Sequence, residues 1–257
     1  RLARDGRRFT SAYAPAAVCS PTRYGVLTGC YPWRGPLKRG VLQGESPLCI
    51  APGTPTLPAM LKARGYATAA VGKGHLGLGE ARTDFNGDIR PGPLEIGFDT
   101  FFGLPATGDR VPTVLIQDHR VLNLDPKDPI RVSYGKPIGD EPTGPERPDL
   151  LKQKADRQHA GTIVNGISRI GTMTGGKSAR WIDEDLADTF TARAVSFIEN
   201  NKARPFFLYL ATHDIHVPRA PNARFRGTSS AGIRGDAIHQ LDWCVGEVLK
   251  ALDRLNL

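Results

Sequence analysis

No run of apolar residues in this sequence approaches the ~20 that a membrane-spanning helix needs, and residues Arg1–Arg8 lack the apolar core of a signal peptide. There is no internal repeat and no low-complexity segment. The four cysteines, Cys19, Cys30, Cys49 and Cys244, form no CxxC pair, which argues against a structural zinc site. If Cys19 is kept free, the other three cannot all pair within the chain. Cys30 with Cys49 is one open option, so composition leaves the redox compartment undecided. Lys and Arg outnumber Asp and Glu, for a net charge of +8. The cations are scattered, with only short groups such as Arg4, Arg7 and Arg8, rather than clustered and interleaved with aromatics as a nucleic-acid face requires. A basic surface equally suits a small anionic substrate.

What is present is ordinary for a soluble globular protein, with 40% hydrophobic and 23% charged residues among 257. That length suffices for one substantial α/β domain and part of a second. Residues 1–10 read as the end of a helix with Leu2 and Phe9 as its apolar positions. A second helix is expected after Cys19, with Ser20 as N-cap and Pro21 at the first helical position. Thr54 to Arg64 reads as a helix stopped by Gly65. Tyr66–Val71 reads as a short buried strand ending in a glycine-rich turn, 72–79. Residues 104–182 are rich in Pro, Gly and charge, with strand-like pieces such as Val114–Gln117, and read as a long insertion over a site. Leu186, Phe190, Ala194 and Phe197 restore a helical stripe. Phe206–Ala211 is a continuous apolar strand of the kind that parallel sheets bury. A closing amphipathic helix carries Ile238, Leu241, Val245, Val248, Leu252 and Leu255 at spacings of three and four. This alternation predicts an α/β fold, a mostly parallel sheet with helices on both faces.

Chemistry concentrates in Cys19-Ser20-Pro21-Thr22-Arg23, followed by Leu27-Thr28-Gly29. The pattern sets a thiol at a helix N-terminus, where free N–H groups and the helix dipole favour an anion. Arg23 lies about one turn further on and can grip the same oxyanion in bidentate fashion. Taken alone, such a cysteine is more often simply buried. The five residues with Thr-Gly behind them resemble the recognition sequence of the formylglycine-dependent type I sulfatases, of the alkaline-phosphatase superfamily. That resemblance implies that a formylglycine-generating enzyme oxidises Cys19 to formylglycine. The hydrated aldehyde carries two hydroxyls on one carbon, one to attack sulfur and one to expel sulfate by collapse to the aldehyde, an exit that a serine sulfate would lack.

Gly65-Tyr66-Ala67-Thr68 and Gly72-Lys73-Gly74-His75-Leu76-Gly77 resemble the same family's second signature. Lys73 and His75 stand at the C-terminal end of an expected parallel strand, where open α/β sheets bind ligands. The resemblance implies that Lys73 neutralises sulfate oxygens and that His75 contacts a formylglycine hydroxyl and assists its proton loss. Gly74 stands where the family usually has Trp, a departure that bears on pocket shape. His213-Asp214-Ile215-His216-Val217-Pro218 follows the second apolar strand. The family's His-x-Pro matches His216, implied to protonate the leaving oxygen and touch sulfate. A metal pair of His213 with His216 is weakly founded, and a hydrogen-bonded strand-end role suits His213 better. Gly97-Phe98-Asp99 and Phe101-Phe102-Gly103 resemble the family's link into the insertion, and Thr107 falls where relatives have a hydroxyl near sulfate. Leu241-Asp242-Trp243 resembles a family segment whose natural role is packing. Asp183, Glu184 and Asp185 read as solvated partners of a helix dipole.

The resemblance covers Arg1 to Leu257, weakly in the insertion, and implies one catalytic domain truncated at both ends. The family binds calcium or magnesium through the formylglycine, here Cys19, an Asp pair on its first strand and an Asp-Asn on a late strand. Neither pair is in this sequence, so the remaining ligands are expected outside it and the chain by itself is expected to be inactive. The implied function is hydrolysis of organic sulfate esters on a sulfated small molecule or glycan. Two alternatives are a phosphate or phosphonate monoesterase of the same superfamily and an inactive glycan-binding relative. The resemblance favours a periplasmic or secreted location.

Overall fold

The apolar run at 66–71 becomes the hub of the fold. In the computed structural model, which describes residues 2–257, the elements run α1 (Leu2–Asp5), α2 (Cys19–Thr28), α3 (Leu57–Lys62), β1 (Ala67–Lys73), β2 (Thr100–Leu104), β3 (Ile116–Gln117), β4 (Arg120–Val121), β5 (Arg131–Ser133), β6 (Ile163–Val164), β7 (Ile167–Ser168), β8 (Thr172–Thr174), α4 (Leu186–Asn201), β9 (Phe206–Ala211) and α5 (Gly232–Arg254). The main sheet has the order β4-β3-β2-β1-β9. β1 pairs in parallel with β2, Ala69 opposite Thr100, and with β9, Ala67 opposite Phe206. All seven residues of β1 are buried.

Side-chain alternation along these strands divides the core in two. Ala70, Phe101, Phe207 and Tyr209 face Tyr24 and Leu27 of α2. Val71, Phe102, Leu208 and Leu210 face Leu186 and Phe190 of α4. Helices therefore cover both faces, as expected. The sheet is parallel only through its three long strands, because β3 and β4 append an antiparallel hairpin. The stretch read as an insertion thus contributes two strands to the main sheet, and its remaining strands pair among themselves, β5 with β8 and β6 with β7.

Several expectations need correction. β9 is an edge strand among the described residues, and Phe206–Leu210 are half-buried rather than enclosed on both sides. α1 is a single turn with no buried residue, and Phe9 is outside it and exposed. The helix expected after Cys19 starts at Cys19 itself, capped by extended Val18 with no side-chain hydrogen bond. Ser20 lies in the first turn and its hydroxyl accepts from the Leu42 amide at 3.3 Å. Pro21 is tolerated there because first-turn N–H groups have no helical acceptor. α3 is shorter than read. Thr56 caps it by accepting from the Ala59 N–H, and Gly65, at φ 83°, turns the chain into β1. In α5 the buried face is Ala237, Gln240, Cys244 and Ala251, one residue off the apolar stripe read from the sequence. The helix packs closely against α4 through small side chains, and the larger stripe residues lie half-exposed beside that contact.

Candidate active site

Three segments far apart in sequence meet at the C-terminal ends of β1 and β9. α2 contributes Cys19 from its first turn. The turn after β1 contributes Lys73 and His75, and the loop after β9 contributes His216. Gly72 makes the approach possible: at φ 107°, a Cβ there would stand 2.2 Å from the Ala211 carbonyl oxygen of β9. A cleft of about 470 Å³ opens over these residues, lined by Cys19, Arg23, Val26, Lys73, Tyr209 and His216.

Lys73 Nζ donates to Cys19 Sγ at 3.1 Å. Hydrogen bonding from His216, then from His75, together with the Lys73 charge, outweighs burial and pulls the thiol down to about 4. Burial, then the charge of Arg23, pushes Lys73 below its ordinary value. Arg23 is held by its Nη1, which donates to the Lys73 carbonyl at 2.8 Å and to Tyr209 Oη at 3.3 Å. The arginine lies beside the nucleophile, as its position one turn into α2 predicts.

His75 is 1% exposed and sits at φ 58°. Its Nε2 lies 2.8 Å from the Leu42 carbonyl oxygen, which only accepts, so Nε2 carries the proton. Nδ1 is then the nitrogen that faces Cys19, and no other group hydrogen-bonds it. Burial, the largest cause, lowers the His75 pKa and favours the neutral ring. By the same reasoning His216 Nδ1, 2.7 Å from the Val217 carbonyl oxygen, is the donor, which leaves Nε2 for the cleft. A His75 nitrogen facing Cys19 and an ammonium 3.1 Å from the sulfur suit a hydroxyl-bearing carbon in place of the thiol.

Thr107 is 1% exposed and does not line the cleft. Its hydroxyl donates to Asp109 Oδ1 and accepts from Arg110 Nη1 at 2.9 Å. Asp109 also receives Arg110 at 2.9 Å and His159 Nε2 at 3.2 Å. Burial pushes the Asp109 carboxyl up, but Arg110, Thr107, His216 and His159 together hold it below the usual carboxylate range. Sequence reasoning missed Asp109, Arg110, His159 and Tyr209. Charged residues in a Pro- and Gly-rich loop look solvated, and a tyrosine in an apolar strand looks like core.

Other expectations are corrected here. His213 Nδ1 has no hydrogen-bond partner. It lies 3.8 Å from Asp214 Oδ2, and its ring packs edge-on against Phe190. Asp183 is not solvated: it forms a buried bidentate pair with Arg169 at 2.8 and 2.6 Å. Cys30 and Cys49 are free thiols, and burial pushes Cys49 up to about 12. A side chain at Gly74 would meet the Leu104 carbonyl at 3.0 Å and Phe101 at 3.4 Å, so this departure from the family pattern faces the sheet rather than the cleft. Trp243 packs on Phe225 and Arg224, as expected for that segment. Among the described residues, no group of three or more His, Cys, Asp or Glu side chains could hold a metal ion. Cys19 is the one expected metal ligand in the cleft, and lysine and arginine flank it. No described helix is long and apolar enough to cross a membrane.

Comparison with known proteins places this geometry. A family model described as Sulfatase matches residues 1–257. The chain is 54% identical over 258 residues to an N-acetylgalactosamine-6-O-sulfatase of Bacteroides thetaiotaomicron, covering 100% of this chain and 50% of that protein. It is 34% identical over 285 residues to the steryl-sulfatase of Mus musculus, covering 100% and 44%. A solved structure from work on glycosaminoglycan metabolism by Bacteroides thetaiotaomicron superposes with a TM-score of 0.94 at 54% identity, over 96% of this chain and 52% of that one. The PsFucS1 sulfatase of Pseudoalteromonas sp. shares the fold, with a TM-score of 0.57 at 21% identity, over 93% and 42%. The chain spans about half the length of the curated relatives it matches.

Proposed function

Because this chain belongs to the sulfatase family, we propose that its cleft hydrolyses organic sulfate esters with Cys19, oxidised to formylglycine, as the nucleophile. The observation that carries this reading is the convergence of Lys73, His75 and His216 on one sulfur atom, with Arg23 lining the same open cleft. Formylglycine supplies a hydrated aldehyde with one hydroxyl to attack sulfur and a second to release sulfate. Lys73 and Arg23 hold the anionic ester against the α2 N-terminus and oppose the charge that builds on its oxygens. His75 Nδ1, a neutral lone pair locked in place by Leu42, takes the hydroxyl proton. His216, with Nδ1 committed to Val217, delivers a proton from Nε2 to the leaving oxygen. Thr107 acts from behind the cleft through Asp109 rather than by donating to sulfate, since its single proton is already used. A calcium or magnesium ion would be held by formylglycine at Cys19 together with ligands outside these residues, and would polarise the ester.

The relative at 54% identity, an N-acetylgalactosamine-6-O-sulfatase, supports a 6-sulfated N-acetylgalactosamine, free or within a glycan, as substrate. Co-expression of the full-length protein with a formylglycine-generating enzyme, followed by peptide mass spectrometry, is expected to show an aldehyde at Cys19. Turnover of an aryl sulfate well above that of the matching aryl phosphate is expected from the same preparation. An active preparation holding only unmodified cysteine would refute the mechanism, and preferred phosphate turnover would favour the monoesterase alternative.

A further inference from the structure

His216 lies on a loop that leaves a strand at the sheet edge among the described residues, and apart from its hydrogen bonding with Cys19 its ring is held within that loop, by Nδ1 on Val217. The ring is therefore placed only as well as the loop is. Both ends of the loop meet a single buried side chain. Gln240 is 2% exposed and lies on the buried face of α5 with Asp236, Ala237, Cys244 and Ala251. Its Nε2 donates to Asp214 Oδ1 at 2.5 Å, two residues before His216. Its Oε1 accepts from the Asn222 backbone N–H at 2.8 Å, six residues after it. A buried primary amide is costly unless both ends are satisfied, and here both are satisfied by this loop. Other ties of the loop are less buried: Arg219 Nε to the Ile215 carbonyl at 3.2 Å, Gln153 Nε2 to the Arg219 carbonyl at 2.7 Å, Asn222 Nδ2 to the Glu184 carbonyl at 3.3 Å and to Asp188 at 3.4 Å, and Arg226 Nε to the Pro221 carbonyl at 3.3 Å.

We propose that Gln240 is a positioning residue for His216, a clamp that closes the 214–222 loop and so sets where the acid meets the leaving group. The inference rests on the reading of His216 as proton donor at the Cys19 cleft. If it holds, loosening the clamp harms those reactions that need the proton and spares those that do not. Full-length wild-type protein, Gln240→Leu, Asp214→Ala and Asp214→Asn would be compared on aryl sulfates of graded leaving-group ability, with melting temperature followed alongside. A misplaced catalytic group of this kind costs up to about 100-fold, so Gln240→Leu is expected to lose about 10- to 100-fold in kcat/KM on the poorest leaving group and under about 3-fold on the best. Asp214→Ala should show the same gradient, and Asp214→Asn, whose amide oxygen can still accept from Gln240, should bring it back toward wild type. If Gln240→Leu does not fold, the Asp214 pair carries the comparison. An active wild type with losses equal across the series, or with no loss, overturns the clamp alone. A wild type inactive on every sulfate ester overturns the site reading, and the clamp falls with it.

Discussion

The two strand ends that build the cleft hold their histidines in opposite ways. After β1, His75 is enclosed between the sheet and the 42–48 segment, with its ring locked by the Leu42 carbonyl and nearby Lys73 still in register with Leu104 of β2. After β9, His216 rides a half-buried loop on an edge strand and is held by side chains that reach in from α5 and the insertion. The nucleophile's side is thus preorganised by the backbone core, where tight packing leaves one arrangement. The leaving-group side depends on a few polar ties, each worth only about 0.5–1.5 kcal/mol net. Geometry at sulfur is the same for every ester, whereas the leaving group changes with the substrate. On the proposed reading, the rigid end serves the part of the reaction that is constant.

The largest test removes what both ends share. Cys19→Ser in the full-length protein cannot be matured to an aldehyde and should lose about 10⁴-fold or more in kcat, in line with removal of other covalent nucleophiles. Residual steady turnover near wild type would mean that neither strand end serves Cys19. The next test separates the ends. His216→Ala should cost about 10²–10⁴-fold on esters of poor leaving groups and much less on good ones, while His75→Ala slows both kinds evenly. Identical leaving-group profiles would erase the distinction drawn here. Lys73→Ala strikes the rigid end alone and should cost about 2–4 kcal/mol of transition-state stabilisation, read as kcat/KM across the same series and without a leaving-group gradient.

The smallest effect concerns unmatured protein. With the thiol drawn down to about 4, Cys19 is a thiolate above that pH and becomes the neutral thiol as pH falls through it. Cys49 and Cys244, pushed up to about 12 and about 11 by burial, stay protonated at neutral pH. Iodoacetamide at pH 6 should therefore label Cys19 ahead of both buried cysteines, by mass spectrometry. Replacing Lys73 and His216 should move that labelling toward alkaline pH. Equal labelling of Cys19 and Cys49 at pH 6 would contradict the electrostatics of the cleft.

The rigid end was also the more legible. Lys73 and His75 follow a strand whose apolar run and flanking glycines announce both the strand and the turn, and Cys19 and Arg23 need only helical spacing to be set side by side. His216 could be named from its motif, but its supports could not. Gln240 interrupts no pattern, since the stripe read at 238, 241 and 245 lies one residue away from the face that is buried. Asp109 and His159 are 50 residues apart and meet only because the insertion folds back. The β3–β4 hairpin was half hidden for a related reason: Val114–Gln117 reads as strand-like, but the two-residue β4 carries too little alternation to register. Periodicity reports contacts along one element, whereas these arise between elements.

Ile215 gives the mobile side of the cleft one more property. It stands at φ 65°, a left-handed conformation that a β-branched residue enters only at a cost of about 1–3 kcal/mol. That strain sits immediately before His216 and within the span that Gln240 closes. The loop therefore behaves as a loaded spring whose latch is the buried amide. Ile215→Gly would unload it, raising the stability of the fold while letting the acid wander, so the strain marks a place where evolution toward a tougher protein would work against catalysis.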